Sequence, residues 1–210
     1  MIAIRAVALV SLLTIAHVSP AADPPSIPWH SQTATALSVA RAQQKMLLVY
    51  YRGVCGNQCN DATDAMFESA ASDEVFTHTF DTFLPLRVIA GYGTRRHPIT
   101  DELAAVGEVP LIAVYDASGA QLMVSKGKVS WSTFVEDLLR LRGERPRIVR
   151  SVELRRVGQV PEADLLLGNA LFNARQPLPA ASRLQRAAEG FRAVNAEDRA
   201  QMAELLEGLV

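Results

Sequence analysis

Cysteine is scarce in this sequence, and no charge of one sign dominates it. The chain has 210 residues but only two cysteines. Two are too few for a disulfide framework or for an all-cysteine zinc site, which needs four thiolates. The formal net charge is -1, so the chain as a whole lacks the basic field that nucleic acid or an acidic membrane would attract. We therefore expect neither of these as a partner.

Long hydrophobic runs are also missing, apart from a short one at the N-terminus. Residues 6–16 are almost entirely apolar, they follow Arg5, and they are followed by Pro20-Ala-Ala. A transmembrane helix needs about 20 apolar residues, whereas this layout is typical of a secretory signal peptide. We predict that residues 1–22 are such a signal peptide and that the mature protein is periplasmic or secreted. An uncleaved N-terminal anchor is the alternative.

The next part of the chain alternates between helix and strand signals. A continuous apolar run at 46–51 is typical of a strand buried on both faces, and Asp116 to Gly119 has the composition of a hairpin turn. The pattern predicts helices at 33–44, 57–69, 72–76, 100–106 and from Ser130, and strands at 46–51, 83–89, 110–115 and 121–125. This order predicts an α/β fold with a mixed sheet, helices on both faces and two parallel leading strands.

Residues 147–210 contain almost no strand signal and are rich in Ala, Leu, Arg and Glu. Helices are predicted at 161–174, 179–194 and 196–209, as a small C-terminal helical extension. Its small and large apolar residues resemble a single tetratricopeptide-type repeat, at Leu167-Gly168, Leu171, Ala180, Leu184 and Ala187. A plain helical hairpin is the alternative. Because one repeat cannot bury its own face, the extension should pack on the rest of the chain or on a protein partner.

The two cysteines stand where the first strand leads into a helix. Cys55 follows the strand after a short loop, and Cys59 lies one helical turn later. A helix N-terminus stabilises a thiolate and lowers the thiol pKa, and the thiolate is the nucleophile in disulfide exchange. Residues at i and i+4 share a helix face and can form a disulfide. Three uses stay open: redox exchange, a structural disulfide, or metal binding.

Two separate pieces of the chain resemble the thioredoxin-like superfamily. The first runs from 40–45 through the strand to Cys55-Gly56, and the second is Glu108-Val109-Pro110 followed by the strand and turn of 111–119. The resemblance covers 29–141 and implies a thioredoxin-like domain at 26–142. It also implies a cis peptide bond at Pro110, with Val109 and Pro110 shaping a substrate groove. In that family Cys55 would attack cysteines of other exported proteins and Cys59 would resolve the mixed disulfide, with no bound cofactor.

The motif departs from the family pattern at three places. Three residues rather than two separate the cysteines, Val49 stands where many thioredoxins carry a buried carboxylate, and Val54 replaces the usual aromatic residue. A Cys-x-x-x-Cys pair in this fold also resembles Sco-type copper chaperones, which add a distant histidine. Soft thiolates suit Cu(I), and His97 or His78 is the candidate third ligand. The predicted metal set in that alternative is Cys55, Cys59 and His97.

Overall fold

The computed structural model of the protein describes residues 26–54, 59–90, 97–127 and 129–210. The predicted signal peptide at 1–22 lies outside these residues. In the described part, no helix has the length and apolar character needed to cross a membrane. The elements, in chain order, are α1 (Thr33–Ala42), β1 (Met46–Arg52), α2 (Asp61–Ala70), α3 (Glu74–Thr77), a 3₁₀ helix (His78–Asp81), β2 (Phe83–Ile89), α4 (Pro98–Ala105), β3 (Leu111–Tyr115), β4 (Gln121–Lys126), α5 (Trp131–Gly143), α6 (Arg145–Arg156), α7 (Val160–Asn173), α8 (Pro177–Ala193) and α9 (Glu197–Glu207).

The four strands form one mixed sheet in the order β2-β1-β3-β4. β1 is parallel to β2 and antiparallel to β3, and β3 pairs with β4 through a hairpin. This confirms the predicted α/β fold with two parallel leading strands. The proline-rich composition of residues 23–31 predicts a linker before α1, but one residue of it pairs with the sheet. His30 forms an isolated parallel bridge to Leu86 at the outer edge of β2.

Helices cover both faces of the sheet, because β1 alternates its apolar side chains between two cores. Leu48 and Tyr50 belong to the core that contains Phe67 of α2 and the apolar face of α5. Leu47 and Val49 belong to the opposite core, against α1 and α4. A strand buried on both faces has no solvent-exposed side that would require polar residues. Its sequence is therefore an unbroken apolar run.

Two helix faces differ from the sequence expectation. On α2 the residue spacing predicts an apolar stripe at Ala62, Ala65, Met66 and Ser69. The buried residues are instead Thr63, Phe67 and Ala70. The large Phe67 ring gains most from burial and therefore decides which way the helix faces. On α5 Leu139 is exposed, whereas Leu141 is buried in its place.

The predicted N-cap of α4 is also corrected. His97, not Thr100, occupies the N-cap position, and Pro98 is the first helical residue. The Nδ1 atom of His97 accepts a hydrogen bond from the main-chain N–H of Ile99 at 3.2 Å. Thr100 lies in the first turn and completes a capping box, since its Oγ1 accepts from the main-chain N–H of His97 at 3.2 Å.

The C-terminal extension contains one helix more than predicted. The additional helix, α6, buries only Ile148 and Ser151, so it has no broad apolar stripe by which sequence periodicity could reveal it. It begins at Arg145, two residues before the start predicted for the extension. Neighbouring helices from α6 to α9 are joined by three-residue turns whose middle residue has a positive φ, at Gly158, Arg175 and Asn195.

Helices α7 and α8 pack closely through the residues that resemble a tetratricopeptide repeat. All six of those residues are buried: Leu167, Gly168, Leu171, Ala180, Leu184 and Ala187. The extension does not stand apart from the sheet, because Leu167, Ala170 and Leu171 share one continuous core with Phe134 and Leu138 of α5. The predicted packing of the extension against the α/β part is therefore confirmed.

Candidate functional site

The candidate site lies at the end of the sheet where β1 finishes. Cys59 lies two residues before the first residue of α2, is half-buried and is disulfide-bonded. Cys55, the other cysteine of the sequence, lies outside the described residues. The predicted helix over 57–69 included Cys59, but α2 begins only at Asp61, so Cys59 lies just before the helix rather than in its first turn.

Asn60 anchors this junction, and sequence reasoning did not single it out. Its side chain is 1% exposed. The Oδ1 atom accepts a hydrogen bond from the main-chain N–H of Gly53 at 3.0 Å, and the Nδ2 atom donates to the carbonyl of Gly53 at 3.0 Å. The amide thereby joins the two ends of the segment that contains both cysteines. A helix-start asparagine suggests an ordinary N-cap, but this side chain makes no such bond to its own helix.

The two predicted groove residues lie at the same end of the sheet. The peptide bond between Val109 and Pro110 is cis, as the family resemblance implied. Leu111 is paired with Tyr51 across β1 and β3, so Pro110 lies beside the last residues of β1, where the chain turns toward Cys59. Val109 is 36% exposed, and its side chain is therefore accessible to a partner. Their role in substrate binding stays a prediction.

A polar cluster lies behind the first turn of α2. Asp64 accepts a hydrogen bond from the Tyr50 hydroxyl at 2.9 Å and forms an ion pair with Arg52 at 3.0 Å. Burial, followed by the hydrogen bond to Asp64, raises the pKa of the Tyr50 phenol above its usual range. Helix-dipole complementarity alone would account for an acid at this position, but the structure shows that Asp64 also links α2 to β1.

Aromatic rings of the core pack next to this polar cluster. Phe67 packs edge-on against Trp29 with ring centroids 5.0 Å apart and against Phe134 with centroids 6.0 Å apart. Trp131 contacts Phe76 in the same core. Both tryptophans therefore pack against the core. A cavity of about 720 Å³ opens beside Trp29 and is bordered by Trp29, Arg52 and Asp64.

The residues predicted for a metal alternative are only partly described. His97 begins α4, and its Nδ1 atom is occupied by the capping hydrogen bond to Ile99. His78 is exposed and lies 3.7 Å from the carboxylate of Glu74. In the described part of the chain, no three His, Cys, Asp or Glu side chains are grouped closely enough to hold a metal ion. Cys55 is outside that set, so the alternative as a whole stays a prediction.

The arrangement of strands identifies the architecture. A central strand parallel to one neighbour and antiparallel to the other leads into a helix at a cysteine, and a cis-proline precedes the antiparallel neighbour. The fold is thioredoxin-like. This is the arrangement that the sequence resemblance implied, including the helices on both faces.

Comparisons with known proteins add the following similarities. No family model matches the chain, and no curated protein does so either. A thioredoxin from Thermus thermophilus is similar at 16% identity and a TM-score of 0.39, over 55% of this chain and 87% of that one. A structure described as DsbH oxidoreductase is similar at 19% identity and a TM-score of 0.40, over 62% of this chain and 96% of that one.

Proposed function

We propose that this protein exchanges disulfides with the cysteines of other exported proteins, using Cys55 and Cys59. The observation that carries this proposal is the position of Cys59, which is disulfide-bonded and lies two residues before α2, at the sheet end that also holds Pro110. Because the sequence has only two cysteines, Cys55 is the disulfide partner that we propose. The export step rests on the predicted signal peptide at 1–22.

In the reducing direction the chemistry has two steps. The Cys55 thiolate attacks one sulfur of a substrate disulfide, forming a mixed disulfide and releasing the other substrate sulfur as a thiolate. The Cys59 thiolate then attacks the Cys55 sulfur, which closes the internal disulfide and releases the second substrate thiolate. The protein loses two electrons and the substrate gains two. The oxidising direction is the reverse, and no bound cofactor is needed in either.

Local charges set how readily the thiolate forms. The N-terminus of α2 contributes a positive potential that lowers a thiol pKa. Asp61 and Asp64, both in the first turn of α2, oppose it, but the charge of Asp64 is offset by the ion pair with Arg52. The Arg52 guanidinium therefore favours the thiolate by offsetting the charge of one of the two first-turn carboxylates.

The decisive measurement is the reduction potential of the disulfide together with the pKa of the Cys55 thiol. We expect a potential between about -120 and -270 mV and a thiol pKa below about 7.5. Cys59→Ser should accumulate a mixed disulfide with a model protein substrate, whereas Cys55→Ser should not. A potential below about -300 mV with an unshifted thiol would instead identify a structural disulfide on an interaction module.

The copper alternative has a separate signature. If the chain handled Cu(I), the reduced protein would bind it with an affinity that Cys55→Ser abolishes and His97→Ala weakens. We expect no such loss with His97→Ala, because the His97 ring is engaged in capping α4. The same purified protein serves both measurements, since Cu(I) titration and redox titration start from the reduced form.

A further inference from the structure

Positive charge is concentrated on one short part of this chain. Residues 140–156 contain seven arginines and two glutamates, a net charge of +5, although the whole chain carries -1. The remaining 193 residues therefore carry a net charge of -6. Most of these arginines belong to α6, the helix that buries only two side chains. A helix that contributes so little to the core but carries so much charge is available for contacts beyond the chain.

A cleft accompanies this charge. The C-terminal end of α1 and the length of α6 border a groove of about 750 Å³, which we call the α1–α6 groove. Its charged border includes the cations Arg41, Lys45, Arg150 and Arg156 and the carboxylate Glu153. The same border includes apolar side chains that are exposed or half-buried, namely Val149, Val152 and Val157. The groove thus combines a positive rim with apolar contact surface.

The groove carboxylate of Glu153 pairs with Arg150, which leaves Arg41, Lys45 and Arg156 without a carboxylate partner among the described residues. The Nε atom of Arg41 donates to the carbonyl of Ala117 at 2.7 Å, and the Nζ atom of Lys45 donates to the carbonyl of Phe80 at 2.8 Å. These bonds orient both cations without cancelling their charge. The ion pairs within the described ranges include Arg150 with Glu153 at 3.0 Å, but none of them involves Arg41, Lys45 or Arg156. The groove therefore keeps three uncompensated positive charges.

The α1–α6 groove is far from the cysteine end of the molecule. Lys45 precedes the first residue of β1, whereas Gly53 follows its last residue. Seven strand residues at about 3.3 Å each separate these ends by about 20 Å. A partner held in the groove would leave the surface around Cys59 and Pro110 free.

We propose that the α1–α6 groove binds an acidic polypeptide segment in which apolar side chains alternate with carboxylates. The carboxylates would meet the three cations, and the apolar side chains would contact the valines of the same border. An anionic membrane fits the groove less well than a peptide does. A flat lipid surface binds cations and apolar side chains that lie on a convex protein face, whereas these side chains line a cleft. A cleft of this volume is in the range that encloses a few side chains or a small molecule.

The test uses a fluorescein-labelled 12-residue peptide of alternating Glu and Val and measures its anisotropy with the full-length oxidised protein. We expect saturable binding that weakens as salt is added. Arg41→Glu/Arg156→Glu should weaken it at least tenfold. The matched control, Arg142→Glu/Arg175→Glu, makes the same charge change at exposed residues that do not border the groove, and should change binding less than twofold.

A single variant and a vesicle-binding measurement decide between the possible outcomes. Arg156→Glu alone should reduce binding at least threefold while leaving the circular dichroism spectrum and thermal midpoint unchanged, which separates binding from folding. Equal losses in the two double variants would overturn the proposal, because net charge alone would then explain the binding. It would also be overturned if phosphatidylglycerol vesicles bound the protein and the peptide did not. Since peptide binding requires no thiol chemistry, these results stand whatever the reduction potential is.

Discussion

The buried amide of Asn60 holds the main chain of Gly53 by both its N–H and its carbonyl, each at 3.0 Å. These two residues enclose the segment in which both cysteines lie. The end of the central strand and the start of the helix are therefore fixed to each other by a side chain, independently of the disulfide. Cys59 is the immediate neighbour of this anchor, and the hydrogen bonds between Asn60 and Gly53 do not involve its sulfur.

Replacing Asn60 by alanine should destabilise the protein by about 3 kcal/mol, because two buried main-chain groups of Gly53 lose their partners. Urea denaturation of the oxidised protein measures this change. Reduction of the disulfide by dithiothreitol should also become faster, as the segment gains freedom. Asn173→Ala, an exposed asparagine on α7, is the control and should change stability by less than about 0.5 kcal/mol. Similar effects from both variants would contradict the anchoring role of Asn60.

Asp164 links two arginines that join the extension to the hairpin of the sheet. It accepts hydrogen bonds from Arg155 at 2.6 Å and from Arg183 at 3.2 Å. Arg155 also donates to the Ser118 hydroxyl at 3.1 Å, in the turn between β3 and β4. The Arg183 side chain is only 12% exposed, so little solvent is present to replace a lost partner, and this burial lowers the pKa of its guanidinium.

Asp164→Ala should therefore cost about 3 kcal/mol, because it leaves two guanidinium groups without their shared carboxylate. Urea denaturation, followed by tryptophan fluorescence and by circular dichroism, measures the change. The exposed pair of Arg150 and Glu153 provides the comparison, and Glu153→Ala should cost less than about 1 kcal/mol. If the two variants were equally stable, the Asp164 network would contribute no more than a surface ion pair does.

Close approach of α7 and α8 depends on a residue without a side chain. A Cβ atom added at Gly168 would lie 2.7 Å from Cγ of Leu184, whereas one added at Gly143 would meet nothing within 4 Å. Gly168→Ala should destabilise the protein by about 1–2 kcal/mol, since overpacking outweighs the gain in helix propensity. Gly143→Ala should be neutral or stabilising by up to about 1 kcal/mol. Thermal unfolding of both variants checks the opposite signs, and an unchanged or raised midpoint for Gly168→Ala would refute the close packing.

Much of this fold follows from local patterns in the sequence. The bounds of β2 were predicted without error, and β1 was predicted except for its last residue, because an uninterrupted apolar run bounded by polar residues describes a buried strand completely. Asp116 to Gly119 predicted the hairpin for a similar reason, since turn-forming residues act through their own backbone. The helix after the cysteines was predicted by the same kind of short-range information, although it begins at Asp61 and not at residue 57.

Other features depend on contacts between residues that are distant in the sequence. His30 joins the sheet because the edge of β2 offers main-chain partners, and nothing in the local sequence marks it as a strand. Asn60 could have capped its own helix, and Asp64 could have been an ordinary first-turn acid, but Gly53, Tyr50 and Arg52 supply better partners. Helix α6 has too narrow an apolar stripe to be predicted from hydrophobic periodicity. Local periodicity determines which segments become helices and strands, whereas the partner of a buried polar group is determined by what the packed chain brings within 3 Å of it.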